Sequence, residues 1–222
     1  MTSTDHRTRV AAQRRAKMRE TLLLAGLQAM VAKGPGATTV DDIVQAAGVA
    51  RGSFYNHFST PDDLVQTLGL SLAQELMHAV GSALTGLDDP AERVAGGFRS
   101  LLALVRQVPT LGQFVMRAGW PLPHTRQAVT ASIGVDLQAG IVAGRFAPLP
   151  RELAEALAGG HTLGAIAVAL DGGDAATDAL AAEALLRALG MSPADARALG
   201  AASPLPIVIP PEGLLSRLAE NP

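Results

Sequence analysis

The 222-residue chain has no cysteine and very few aromatic residues: five Phe, one Tyr and one Trp. Without Cys there is no disulfide framework, no thiolate metal site and no Cys nucleophile, which suits a reducing compartment. Lysine is scarce as well, two residues against sixteen Arg, a bias that points to a GC-rich bacterial genome. Long apolar runs are missing. The longest stretch without a formal charge is Ala156 to Leu170, 15 residues that include His161. A spanning helix needs about 20 apolar residues, so no transmembrane segment is expected. The start of the chain, Met1 to Arg19, is polar and basic without an apolar centre, so it does not read as a secretory signal. Signatures of catalysis are absent too: there is no Gly-x-Ser-x-Gly elbow, no phosphate-binding loop and no His-Glu-x-x-His. No two His stand at i, i+3 or i, i+4, and the acids are scattered. Neither an enzyme, nor a metal site, nor a cofactor is expected.

Apolar residues are plentiful, 48% of the chain, with a mean hydropathy of +0.25. That surplus has to be used in a core, a subunit interface or a ligand cavity. The formal net charge is −2, which by itself argues against nucleic acid. Its distribution reverses the argument. Residues 1–60 hold eight basic and four acidic groups, a net of +4, and residues 61–222 hold ten basic and sixteen acidic groups, a net of −6. Six of the basic residues fall between Arg7 and Arg19 with no acid among them. Such a cluster attracts phosphate through Coulomb forces and counterion release, or else forms a solvated arm.

Helix signals dominate. From Arg15 to Lys33 there is no Pro, and Leu23, Leu27 and Met30 recur at i, i+4 and i+7 before Gly34-Pro35 stops the helix. Thr39 offers an N-cap with Asp42 three residues on, opening a short helix from Val40 to Ala47. Gly48-Val49 breaks it, and a second short helix runs from Arg51 to about Phe58. Thr60, Pro61 and Asp63 mark the next start. Further helices are expected from Asp89 to Gln107, Pro109 to Ala118, Thr125 to Gly144, Pro150 to Leu170, Ala175 to Gly190 and onward from Ser192. The Pro-rich stretch from Ser203 to Pro211 reads as an extended strap. The expected fold is all-α with nine or ten helices: an N-terminal three-helix helix-turn-helix domain (1–60) and a C-terminal helical domain (61–222).

The stretch TTVDDIVQAAGVARGSFYNHF, Thr38 to Phe58, carries the functional reading. Two helices of about eight residues joined through AAGVA have helix-turn-helix spacing, with small Ala46 and Ala47 at the crossing, Gly48 at the turn and Val49 in the angle. Phe54 and Phe58, at i and i+4, point to the core. That leaves Arg51, Gly52, Ser53, Tyr55, Asn56 and His57 facing outward, a set suited to a major groove.

With these residues in place, ATTVDDIVQAAGVARGSFYNHFSTPDDL resembles the DNA-binding domain of tetracycline-repressor (TetR) family regulators. The preceding RETLLLAGLQAMVAKG is similar to that family's first helix. The resemblance covers residues 19 to 64; beyond it, length and helical order agree. It implies a homodimer whose two recognition helices read a pseudo-palindromic double-stranded DNA operator. Carried over by position, Arg51, Gly52, Ser53 and Tyr55 face bases or adjacent phosphates, Asn56 and His57 face the backbone, and Thr38 or Thr39 holds a phosphate. Arg51 is the candidate for a bidentate guanine contact. One departure is Thr60-Pro61-Asp62, where the family usually has a Lys; Arg14, Arg15 and the rest of the basic arm are expected to compensate. Met30 and Pro35 stand where the family is often aromatic.

The resemblance also implies that the C-terminal domain binds a small-molecule effector. Its candidate ligand residues are Phe98, Leu102, Phe114, Arg117, Trp120 and His161, with Met116, His124, Asp136 and Phe146 also in view; plain core packing is the competing explanation for each. For dimerisation the helices Pro150–Leu170 and Ala175–Leu189 are favoured. Ala158, Gly159, Gly160, Gly164 and Ala165 allow close approach there, and Leu163, Ile166, Leu170, Leu180, Leu185 and Leu189 supply apolar area. A cytoplasmic, ligand-released repressor is expected, with an activator or an architectural DNA-binding protein without effector as the alternatives.

Overall fold

The computed structural model describes residues 3–118 and 126–220. The described residues form eleven α-helices: α1 (Ser3–Lys33), α2 (Val40–Ala47), α3 (Arg51–Tyr55), α4 (Pro61–Ala83), α5 (Pro90–Gln107), α6 (Pro109–Ala118), α7 (Arg126–Val142), α8 (Arg151–Leu170), α9 (Ala175–Ala188), α10 (Pro193–Ala201) and α11 (Leu214–Glu220). No strand occurs among them, and Ile207-Val208-Ile209 is extended chain with Val208 79% exposed. The all-α fold is as the sequence predicts. The chain divides into two compact units, Met1–Gly69 and Leu70–Pro222. The division falls inside α4, whereas composition placed it before that helix.

In the first unit α1 begins at Ser3, not near Arg15. The basic segment is therefore helix and not an extended arm. Nothing between Ser3 and Lys33 breaks a helix: the segment holds no Pro and a single Gly, Gly26. That Gly has a packing role. A Cβ at Gly26 would stand 2.4 Å from the Leu64 side chain, so α1 and the start of α4 meet closely there and any larger residue would have to displace Leu64. Leu22, Leu27, Met30, Ile43, Phe54, Leu64 and Leu68 are almost wholly buried in this unit.

The local signals of α2 hold in detail. Asp42 N–H donates to Thr39 Oγ1 at 3.3 Å and Thr39 N–H donates to Asp42 Oδ2 at 3.0 Å, a reciprocal capping box. Lys33, at the end of α1, reaches Asp42 Oδ1 at 2.6 Å. These contacts, the Lys33 bond first, hold the Asp42 carboxyl at a pKa of about 2. Gly48 closes α2 at φ 65°, donating to Gln45 O, while Val49 N–H reaches Val44 O at 3.0 Å. This is a Schellman turn that requires the left-handed region. Ala46 is exposed and does not sit in the crossing the sequence suggested.

The second unit packs α5 against α7, α8, α9 and α10, with α6 against α8. Its core includes Phe98, Leu102, Val105, Leu137, Phe146, Ile166, Leu185 and Leu189. Asp89 and Ser192 cap α5 and α10 at the starts expected from the sequence, and Asp174 caps α9. Helix α11 has no local cap. Its first N–H groups, Leu214 and Leu215, donate to the Glu75 carboxylate at 3.1 and 2.8 Å across 139 and 140 residues of chain.

By length and composition α8 is apolar enough to cross a bilayer, with mean hydropathy 1.4 over a window of which 28% is buried. Its uncharged run is only 15 residues because Arg151, Glu152 and Glu155 stand in its first turns, which is why the run by itself does not show this. Here α8 is a packed helix with α5, α6, α7 and α9 against it. Beneath α9, Arg106 of α5 forms a two-pronged pair with Asp178 and also donates to the backbone oxygens of Gly173 and Asp174. Arg99, two turns earlier, is 7% exposed, and its Nε has no hydrogen-bond partner among the described residues.

Candidate nucleic-acid interface and ligand cavity

The turn after α2 sets the direction of α3, and α3 is held by its aromatic side chains. Phe54 is fully buried and lies 5.8 Å from the Phe58 ring and 5.5 Å, edge-on, from Tyr55. Helix α3 ends at Tyr55, so Asn56 and His57 stand on the following turn and not on the helix itself. With Phe54 anchored inward, Arg51, Gly52, Tyr55 and Asn56 are exposed, and Ser53 and His57 are half-buried.

Arg51 donates through Nη1 to both oxygens of Asp41, at 2.9 and 3.2 Å, and its guanidinium lies 6.0 Å from the centre of the Tyr55 ring. At Gly52 an added Cβ would meet nothing within 4 Å, and its backbone is not in the left-handed region. The protein's own packing gives no reason for a glycine there. Thr38 is buried and donates its hydroxyl to Gly34 O at 2.8 Å, whereas Thr39 is exposed at the start of α2.

The basic part of α1 adjoins this surface. Arg14, Arg15, Lys17 and Arg19 are exposed. Arg19 lies over the Phe58 ring, 5.4 Å from its centre. Partial burial, with the positive charges of Arg15 and Arg19, pushes the His57 pKa below its ordinary value. The sequence separated these two groups as an arm and a motif. Helix α1 brings Arg15 and Arg19 beside His57 and Phe58 at the end of the recognition element.

In the second unit a cavity of about 560 Å3 opens among α4, α5, α6, α7 and α8. Most of its wall is apolar, with Leu76, Val80, Phe98, Leu101, Val105 and Ile166 among the lining residues. Gly97, Gly159 and Gly160 also line it, and a Cβ at Gly159 or Gly160 would meet nothing within 4 Å. The polar groups of the lining are Arg93, Ser132, Asp136, Glu155 and Thr162. Arg93 Nε donates to Asp136 Oδ1 at 2.7 Å, and Arg93 Nη1 to Leu84 O at 3.1 Å. Glu155 is paired with Arg151 at 2.7 Å. Every charge in the wall therefore has a partner of opposite sign.

Of the ligand candidates read from the sequence, Phe98 and Asp136 stand in this wall. Leu102, Phe114 and Phe146 are buried in the core without lining it, and Arg117 and Met116 are exposed. His161 lies in a separate groove of about 400 Å3 between α8 and α9, with Gly164, Val168, Asp178 and Ala181. Trp120 and His124 fall outside the described residues. Arg93, Ser132, Glu155 and Thr162 were not foreseen. No local signal marks them, because what brings Arg93 to Asp136 is the crossing of α5 and α7. Of the interface candidates, Ile166, Leu185 and Leu189 are consumed in this chain's own core. Ala158 and Ala165 are likewise buried there, Gly160, Gly164 and Leu180 are exposed on α8 and α9, and Val168 and Ala184, which the sequence reading did not name, are exposed beside them.

Comparison with known proteins agrees with both units. Residues 22–68 match the family described as bacterial regulatory proteins, tetR family, and residues 89–201 match the tetracyclin repressor-like C-terminal domain. The second match alone covers a little over half of the chain. The repressor KstR2 of Mycobacterium tuberculosis is 36% identical over 91 residues, 40% of this chain and 44% of its own length. The regulator AlkX of the same organism is 32% identical over 90 residues, 40% of this chain and 43% of its own length. The chain thus aligns with less than half the length of these curated relatives. The structure of RolR in complex with resorcinol superposes with a TM-score of 0.71 at 29% identity, covering 89% of this chain and all of that one. On its sequence and its fold, the chain belongs to the tetracycline-repressor (TetR) family of transcriptional regulators.

Proposed function

We propose that this chain is a ligand-responsive transcriptional repressor of the bacterial cytoplasm that binds a pseudo-palindromic operator as a dimer and leaves it when a small apolar effector fills the cavity of the second unit. The observation that carries the reading is the exposed face of α3 and its turn. Arg51, Gly52, Ser53, Tyr55 and Asn56 are offered outward by a helix anchored through Phe54, beside the basic face of α1. Gly52 supports it independently. A glycine lowers the stability of a five-residue helix, nothing inside the protein requires it, and its missing side chain lets a duplex approach the helix start. In a dimer the two reading heads address half-sites about 34–36 Å apart.

The effector reading rests on the cavity's size and charge. Its volume lies in the ordinary range for small-molecule sites, about 300–1,000 Å3. Because the wall charges are mutually paired, a neutral and mostly apolar molecule enters without leaving a charge unmatched. A hydroxyl on that molecule meets Asp136 as an acceptor and Arg93 as a donor. RolR is described with resorcinol bound, so resorcinol and larger hydroxylated aromatics are the first probes. Dimerisation through α8 and α9 is supported by the exposed Val168 and Leu180 beside the small Gly160, Gly164 and Ala184.

The test is selection of the full chain on randomised duplexes, followed by titration of the selected duplex with and without each probe. A palindromic consensus, released by a compound that also raises the melting temperature, supports the reading. Equal binding to every duplex would replace it with an architectural protein.

A further inference from the structure

The pairing of Arg51 with Asp41 is unusual for a group expected to meet DNA. Asp41 is an acid on the reading face, its side chain 71% exposed, where it repels phosphate. Its geometry indicates what it does there. A carboxylate that sequesters an arginine takes two nitrogens in a fork. Here both Asp41 oxygens accept from one nitrogen, Nη1. Asp41 takes neither Nε nor Nη2 of Arg51; the nearby Tyr55 hydroxyl, ahead of Asp41, raises the Arg51 pKa, and the side chain is 59% exposed. The Nε–Nη2 edge is a parallel pair of donors, the shape that meets guanine O6 and N7. Tyr55 limits the same guanidinium from another side, 6.0 Å from ring centre to carbon. A long, freely rotating side chain is thereby held by Asp41 and Tyr55, and Asp41 leaves the Nε–Nη2 pair of donors untaken.

We propose that Asp41 is a positioning residue for base readout: from the start of α2 it holds Nη1 of Arg51 so that the Nε–Nη2 edge is presented to a guanine in a fixed orientation. This rests on the DNA-reading function proposed above. It predicts that Asp41 contributes selectivity at one base pair while lowering affinity for DNA in general. A merely structural acid, or one that competes with DNA for Arg51, does neither in that combination.

The experiment uses the full chain and the consensus duplex selected by the wild type, with dissociation constants measured for every single-pair change. The wild type is expected to prefer one G·C pair in each half-site, and Arg51→Ala to lose that preference. Asp41→Asn removes the charge. It is expected to bind all duplexes somewhat more tightly, while its preference at that same pair falls on the order of tenfold and the other pairs keep theirs. Asp41→Glu keeps the charge and moves the carboxylate outward by one methylene; it is expected to lose the same preference without the general gain. Melting temperatures equal to wild type confirm that both variants fold. The proposal is overturned if Asp41→Asn retains the preference at the Arg51 pair, or if Arg51→Ala changes no pair at all. If the wild type selects no consensus, the DNA-reading function itself fails, and this inference goes with it.

Discussion

Replacing Gly52 with Ala separates the needs of the fold from those of DNA binding, because the two respond in opposite directions. Gly52 is the second residue of α3, and a Cβ there meets nothing within 4 Å. Its backbone is not in the left-handed region, so alanine fits without strain. Alanine in place of a helical glycine is worth about 0.5–1 kcal/mol through the lower entropy of the unfolded chain. For a chain of this size that raises the melting temperature by about 1–4 °C. The same methyl projects from the reading face. If the helix start packs against a duplex, the methyl overfills that contact, and overpacking costs about 1–3 kcal/mol. Each 1.4 kcal/mol is about tenfold in affinity, so binding to the selected duplex should weaken by about five- to 140-fold. Differential scanning fluorimetry measures the first effect and fluorescence anisotropy the second. An affinity within twofold of wild type would refute the idea that Gly52 is there for DNA; a lower melting temperature would refute the idea that the fold has no use for it.

The remaining predictions concern charge and space. Asp178→Ala removes the partner of Arg106 and a carboxylate whose charge favours the buried Arg99 guanidinium, and should cost about 3 kcal/mol or more in chemical denaturation. Arg99→Met, which replaces a buried guanidinium by an apolar chain of similar length, should leave stability unchanged or raise it; a marked loss would show that Arg99 has a partner. Asp42 has a folded pKa of about 2 against an ordinary carboxyl value of 3.8, so its contribution to stability is complete above pH 4 and is lost as pH falls from there toward 2. Asp42→Asn should flatten that part of an acid-unfolding curve. The His57 imidazole should titrate below its ordinary value in an NMR pH series, and Arg15→Ser together with Arg19→Ser should move it upward. Gly159→Phe should fill the cavity, leaving duplex binding intact while abolishing release by any probe that frees the wild type.

How much was legible in the sequence depends on how far each signal reaches along the chain. Caps were legible because their partners stand three residues apart: Thr39 with Asp42 and Ser192 with Asp195 bond at the helix starts that the sequence marks. The recognition element was legible for the same reason. Its Gly48 turn and its Phe54 and Phe58 anchors are local, and removing the anchors from the helix surface leaves the reading face by subtraction. Charge was legible as a distribution, a net of +4 in residues 1–60 against −6 beyond them, even though the total of −2 concealed it.

The tertiary structure decided what long separations control. Helix α11 had no visible start because its cap, Glu75, is 139 residues away from Leu214. The cavity's polar end was hidden because Arg93 and Asp136 are 43 residues apart. Composition showed that apolar surface was in surplus but not how it is divided: Ile166, Leu185 and Leu189 close this chain's own core, while Val168 and Leu180 stay outside. Local sequence fixes which backbone conformations and caps are favourable, since those energies depend on neighbours within a helical turn or two. Which side chains line a cavity, pair across helices or remain exposed depends on how the helices cross, a property of the whole packed chain.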